Sequence, residues 1–268
     1  MRSSVRSALS VASAAAILTC TSACASALFV PPVGPGEPAP GAAAAWAEAT
    51  RVCGGVTTYK ASLRVSGHIG GERLPTTIDI ATGATATGIR LEGRAADRKI
   101  FLLAGTADEA TLYLDDGHRS ATGRPEDLTD ALMGVKLGPG RWLALLTGCV
   151  AAPPDFISGA RYGANLGVTT PGGRVFLARE NGVWRNVHGE FDGLVVTYRR
   201  FSSAFPDEWR LKSEPGRDPS IELSVRVDDI ASGQPIAPSV FTLALPDDVT
   251  PMTLDDLRQS GPLHRKGR

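Results

Sequence analysis

Residues 58–69 read TYKASLRVSGHI, and along them apolar and polar side chains alternate. A period of two places the apolar side chains on one face of a β-strand and the polar ones on the other. The same alternation returns at 74–80, 89–92 and 221–227. The sequence therefore predicts a sheet with one face in water and one face that the rest of the chain has to cover.

Segments with helical spacing interrupt this alternation at 41–53, 124–134, 138–149 and 253–261. Proline near the first turn and acidic residues beside it favour a helix that begins at Pro125. The side chains predicted to cover the sheet are Trp46, Leu128, Leu132, Trp142 and Leu146. Because the strands come in two long runs, with a last strand predicted at VFTLALP (240–246), we expect a mainly β (α+β) fold. It would be one large curved antiparallel sheet with helices on one face.

The first residues have the features of a secretory signal. Arg2 and Arg6 precede a short uncharged run of small and apolar residues that is too short to span a bilayer. Small residues before Cys24 are typical of a bacterial lipoprotein signal, which predicts a signal peptide over 1–23 and a lipid anchor on Cys24. Anchoring on Cys20, or cleavage without lipid, are the alternatives. Ala25 is not the Asp that retains many lipoproteins at the inner membrane.

The residues after Cys24 are rich in proline and glycine, and such a segment forms neither a helix nor a central strand. We therefore expect 24–41 to be an extended tether, about 50 Å at most. A disordered N-terminus without a role is the alternative. The remaining residues, 42–268, suit one domain with a full core.

Two cysteines, Cys53 and Cys149, lie in the predicted domain. An even pair in an exported chain favours one disulfide, and two buried thiols are the alternative. A bridge would close a loop of about 97 residues and constrain the unfolded chain by roughly 4–5 kcal/mol. It would also join the ends of two covering helices, so that the helices form a pinned lid over an apolar concave sheet.

Catalytic and nucleic-acid motifs are missing from the sequence. The formal net charge is +0, with 28 basic and 28 acidic residues and no basic patch, which argues against a nucleic-acid partner. The chain has no G-x-S-x-G elbow, H-E-x-x-H or phosphate-binding loop. His68 and His188 alternate with apolar residues and are predicted to lie on the wet face. Neither a cofactor nor a metal is expected, and an enzyme is disfavoured.

Residues 110–149, ATLYLDDGHRSATGRPEDLTDALMGVKLGPGRWLALLTGC, resemble the middle of the LolB-like outer-membrane lipoprotein receptors of the LolA/LolB superfamily. The shared pattern is a strand, a turn at Gly117, a polar strand and a helix around Leu128 and Leu132. Gly134, Pro139, Trp142, Leu146 and Gly148 follow. The anchor at Cys24 and the order of strands and helices over about 42–245 agree with it.

The resemblance implies an incomplete antiparallel β-barrel with a helical lid over a hydrophobic cavity, which takes up the acyl chains of lipoproteins. Each exposed CH₂ costs about 0.8 kcal/mol, so a sixteen-carbon chain in water costs on the order of 12 kcal/mol. Receptors of this kind insert lipoproteins through a protruding loop with an exposed apolar residue. The matching turn here, Ala95 to Lys99, is polar at Asp97-Arg98-Lys99. It therefore lacks the exposed apolar residue that the insertion step uses. The cysteine pair is another departure from the receptor.

These observations predict a monomeric lipoprotein at the periplasmic face of the outer membrane. Its expected partners are the acyl chains of lipoproteins or phospholipid, the inner leaflet of that membrane, and a periplasmic LolA-like carrier. The candidate cavity residues, each of which would also suit a simple core, are Leu63, Val65, Ile78, Ile89, Leu91, Leu112, Leu128, Leu132, Trp142 and Leu146. The alternative function is an assembly or interaction lipoprotein of the cell envelope that uses the same fold with a filled interior and no ligand.

Overall fold

A computed structural model of the chain describes residues 29–74, 76–150, 155–201, 203–216 and 219–260. The predicted signal peptide and the lipid anchor at Cys24 lie outside these ranges. The helices are α1 (Ala42–Thr50), α2 (Pro125–Met133), α3 (Pro139–Thr147) and α4 (Leu254–Ser260). The strands are β1 (Glu37–Pro38), β2 (Thr58–Ile69), β3 (Glu72–Arg73), β4 (Ile78–Thr85), β5 (Gly88–Ala95), β6 (Arg98–Thr106), β7 (Ala110–Leu114), β8 (Arg119–Gly123), β9 (Ser158–Tyr162), β10 (Asn165–Thr170), β11 (Gly173–Glu180), β12 (Val183–Phe191), β13 (Leu194–Arg199), β14 (Glu208–Ser213), β15 (Ile221–Ser232) and β16 (Thr250–Pro251).

All of these strands belong to one open sheet, as the alternation predicts. Its order is β1-β9-β10-β11-β12-β13-β14-β15-β2-β4-β5-β6-β7-β8-β16, with β3 paired to β2. Neighbouring strands are antiparallel except that β16 runs parallel to β8. Because β1 and β16 end the order and do not pair with each other, the sheet is an unclosed barrel, and the mainly β fold is confirmed.

The two lid helices begin and end where the sequence predicts. Pro125 and Pro139 occupy the first turns of α2 and α3, where a missing N–H costs nothing. Gly134 and Gly148 end these helices with φ of 75°, a left-handed conformation that glycine adopts without strain. The chain therefore turns sharply after each helix, and both helices lie on the same face of the sheet.

The helices cover the inner face of the sheet in two separate layers. Helix α3 contacts β2, β4 and β5, and α2 contacts β7, β8 and α4. Helix α1 contacts β9 to β12 instead, and its Trp46 belongs to a second apolar cluster with Val168 and Leu177. The prediction that Trp46 shares one lid with Leu128 and Trp142 is therefore wrong, since the sheet is wide enough for two layers.

The proline- and glycine-rich residues before α1 pack on the domain. We call residues 29–38 the N-terminal strap. The ring of Phe29 lies 5.4 Å from that of Phe176 and 5.6 Å from that of His188, and β1 pairs with the edge strand β9. Gly36 lies so close to Tyr162 that a Cβ there would approach the tyrosine ring to 2.8 Å. Within the predicted tether over 24–41, residues from Phe29 onward therefore contact the domain, because proline and glycine permit an edge strand as well as a spacer.

The end of the chain also crosses the outer face of the sheet, which is the face opposite the helices. We call residues 233–252 the C-terminal strap. Phe241 lies over Gly88, Arg90 donates to the Val240 carbonyl at 3.0 Å, and β16 covers the edge at β8. The strand predicted at VFTLALP is wrong: a 3₁₀ turn (Pro238–Phe241) ends within it, and no strand follows before β16. The final helix is confirmed as α4.

Candidate functional site

The ten predicted cavity residues meet in one buried apolar cluster between the sheet and helices α2 and α3. Six come from strands β2, β4, β5 and β7 and four from the two helices. None is more than 7% exposed, and Leu63, Leu91 and Leu112 are fully buried. The structure therefore places together every residue that the sequence nominated for this interior.

A few polar contacts hold the lid helices on the sheet. The indole N–H of Trp142 on α3 donates to the hydroxyl of Thr82 on β4 at 2.9 Å. The Tyr198 hydroxyl on β13 donates to the Leu145 carbonyl at 3.1 Å, and complete burial raises the Tyr198 pKa well above its usual value. Because both contacts lie inside apolar packing, they fix the position of α3 without opening the interior to water.

A disulfide joins the two helical layers. Cys53 follows α1, Cys149 follows α3, and their Cα atoms lie 5.7 Å apart, so the predicted bridge is confirmed. The amide of Asn186 on β12 donates to the Gly148 carbonyl at 3.2 Å beside it. The end of the lid is thus fixed both to α1 and to the sheet, which leaves the α2 side as the part of the lid with fewer cross-links.

Sequence reasoning did not single out a set of aromatic side chains in the same interior. Tyr59, Phe205 and Trp209 are buried in the lid cluster, and the rings of Tyr59 and Phe205 meet edge-on at 5.5 Å. The Tyr59 hydroxyl and the Trp209 indole N–H have no hydrogen-bond partner among the described residues. Burial, followed by the nearby Asp207, raises the Tyr59 pKa. The alternating pattern already placed Tyr59 on the apolar face, but nothing in it separates a core tyrosine from a binding one.

Several grooves formed by described residues lie away from this cluster. Four of them have volumes of about 320 to 720 Å³, and none of these four is lined by any of the ten predicted residues. The largest is lined by charged side chains, including Arg64, Arg226 and Asp228. The ten residues contact one another only as members of the buried cluster between the sheet and the helices α2 and α3.

His188 lies on the outer face of the sheet, as the alternation predicts. Its side chain is buried there, so the predicted exposure to water is wrong. Phe29 of the N-terminal strap covers it, and only 3% of it is exposed. Its Nδ1 lies 2.9 Å from the Thr197 hydroxyl, and its Nε2 lies 3.6 Å from a Glu190 oxygen. Burial lowers the His188 pKa, Glu190 opposes this, and Arg174 adds to it.

Within the described ranges, no three His, Cys, Asp or Glu side chains come together in a way that would hold a metal ion. Within those ranges, too, every helix is too short or too polar to cross a bilayer.

Comparison with known proteins gives a likeness of fold. No protein-family model and no curated protein sequence matches the chain. A LolA superfamily protein from Nitrosomonas europaea superposes with a TM-score of 0.50 at 8% identity, covering 73% of this chain and 98% of that one. A DUF1329 family protein from Desulfovibrio piger gives 0.42 at 11% identity (74% and 96%), and the Mycobacterium tuberculosis lipoprotein LppX gives 0.32 at 10% (74% and 98%). The first match establishes a shared fold; the other two superpose too loosely to establish that much.

Proposed function

We propose that this chain is a lipid-anchored lipoprotein of the bacterial cell envelope that holds an acyl chain between its sheet and its lid helices. The observation that carries the proposal is the single apolar interior in which all ten nominated side chains meet. The fold shared with a LolA superfamily protein supports it, as does the resemblance of residues 110–149 to the LolB-like receptors.

The chemistry of the interior suits an aliphatic ligand. The ten nominated residues are nine aliphatic side chains and Trp142, whose only polar atom already donates to Thr82. Transfer of an acyl chain from water to such a layer is favourable by about 0.8 kcal/mol per CH₂. Opening the lid separates apolar surfaces and offsets part of this gain, so the site would bind a chain and still release it.

The proposed location and partner follow from the predicted signal peptide and lipid anchor. Acylation of Cys24 would place the protein on the outer membrane at its periplasmic face, with a LolA-like carrier as the donor of lipoprotein acyl chains. The turn at Asp97, which matches the receptor's apolar loop in position, is polar. We therefore propose acyl-chain binding and do not propose insertion of lipoproteins.

The test is uptake of a fluorescent sixteen-carbon fatty acid by a soluble form that starts at Ala25 and is purified without detergent. Native mass spectrometry before and after organic extraction would show a lipid carried from the cell. Leu91→Trp and Leu132→Trp would fill the interior and weaken probe binding by about tenfold or more while the circular dichroism stays that of the parent. Leu245→Trp is the matched control, because Leu245 lies on the C-terminal strap and is 38% exposed.

One observation favours a second candidate, an assembly or interaction lipoprotein without a ligand. The ten interior side chains pack together and line none of the four grooves described above. A bare chain mass together with no probe uptake, or equal uptake by folded Leu91→Trp and the parent, would reject the acyl-chain proposal in favour of this candidate.

A further inference from the structure

The N-terminal strap leaves the domain on the outer face of the sheet. Phe29 stacks on Phe176 and His188, whereas the neighbours of Phe176 along β11, Val175 and Leu177, face α1 on the inner side. The polypeptide upstream of Phe29 therefore starts from the face opposite the helical lid.

The chain between this face and the predicted anchor is short. Cys24 precedes Phe29 by five residues, which span at most about 18 Å when fully extended. Had residues 24–41 formed a free spacer, the reach would have been about 50 Å. An acyl group on Cys24 would hold the outer face of β11 and β12 close to the bilayer that contains it.

The strap presents apolar side chains at this position. Val30 is 79% exposed and Val33 is completely exposed, and they are two of the four large apolar residues that are exposed in the described ranges. Single exposed apolar residues are ordinary on protein surfaces. Val30 and Val33 differ from such isolated residues in their position, because they lie six and nine residues after the predicted anchor.

Charge contributes little at the same site. Arg174 and Glu190 lie directly opposite each other on β11 and β12, and the Arg174 guanidinium lies 4.5 Å above the Phe176 ring. Opposite charges in register leave no net attraction for an anionic surface. Contact with a bilayer here would depend mainly on the anchor and on the valines.

We propose that the N-terminal strap is a membrane-contact surface: Val30 and Val33 lie against the bilayer that carries the lipid anchor, and the outer face of β11 and β12 is turned toward that bilayer. This rests on the lipid anchor of the proposed function. The lid helices α2 and α3, on the inner face, are then turned away from the membrane and remain accessible to a partner in the periplasm.

The experiment uses the full-length acylated protein in phosphatidylethanolamine and phosphatidylglycerol vesicles, with a nitrobenzoxadiazole label on Val33→Cys. The matched variant is Leu245→Cys on the C-terminal strap, which is also exposed and apolar but lies far along the chain from the anchor. Cys53 and Cys149 are bonded to each other and stay unlabelled. We expect the label at 33, and not at 245, to shift its emission to the blue and to be quenched by doxyl-labelled lipid, at low and high salt alike.

The possible outcomes separate this inference from the one it rests on. Vesicle flotation without a shift at 33, or with equal shifts at 33 and 245, would overturn the membrane-contact surface and leave the anchor standing. Failure of the protein to float would overturn the anchor and this surface together. Acyl-probe binding by the soluble form is independent of both results.

Discussion

The lid interior and the α1 cluster cover the same sheet in different ways. In the lid interior, strands β2, β4 to β8 and β12 to β15 meet two helices, and the polar atom of Trp142 is satisfied by Thr82. In the α1 cluster, strands β10 and β11 meet one helix, and the indole N–H of Trp46 has no partner among the described residues. Two tryptophans with nearly equal burial thus sit in sites of different polarity.

The two regions also differ in size and in the contacts that hold them together. The lid interior combines a wide apolar layer with few polar contacts. The α1 cluster is smaller, and the strap that begins at Phe29 reinforces it from the outer face.

The disulfide is the link whose removal should change this comparison most. Replacement of both cysteines, Cys53→Ser with Cys149→Ser, frees a loop of about 97 residues in the unfolded chain and should lower the free energy of unfolding by about 4–5 kcal/mol on the chain-entropy model. Urea titration followed by tryptophan fluorescence measures it, with the parent protein plus reductant as a second route to the same state. A loss below about 1 kcal/mol would show that the lid and α1 are held together by packing alone.

Much of this two-layer fold could be predicted from the sequence, because apolar alternation fixes the inner face of each long strand. The burial of the six strand residues of the interior was predictable for the same reason, and that of the four residues on α2 and α3 followed from the helical spacing of apolar side chains. The strands β9 and β10 were not predicted, because residues such as Gly159, Asn165 and Gly167 weaken the alternation. The burial of His188 also escaped prediction. That burial depends on Phe29, which is far away in the sequence, and local apolar alternation contains no information about such a distant contact.

The two tryptophans offer a matched test of the polarity difference. Trp142→Phe removes a donor and leaves the Thr82 hydroxyl buried without its partner, which should cost about 1–3 kcal/mol of folding free energy. Trp46→Phe removes a donor that has no described partner, so the loss of its N–H should cost much less. Chemical denaturation of both variants gives the two values. Equal losses would mean that the cost comes from ring packing and that the two tryptophan sites do not differ in polarity.

The smallest expected effect is a dependence on pH that is confined to the α1 side of the molecule. In the lid interior, burial raises the pKa values of Tyr59 and Tyr198, so both hydroxyls stay neutral around pH 5–7. On the outer face of β11 and β12, burial lowers the pKa of His188, so the folded state disfavours the charged imidazole. The unfolded chain then binds more protons than the folded one between the lowered pKa and about 6.5. Stability is therefore full above about pH 6.5 and is lost as the pH falls from there through the folded pKa.

The readout of this effect is the urea midpoint between pH 7.5 and 5. His188→Asn keeps a group that can bond to Thr197 and removes the titration, so it should flatten the pH dependence relative to the parent. If His188→Asn and the parent lose stability in parallel, carboxylate titration and not His188 sets the acid limit. If the profile flattens, protonation of His188, which is buried beneath Phe29, sets the acid limit of stability.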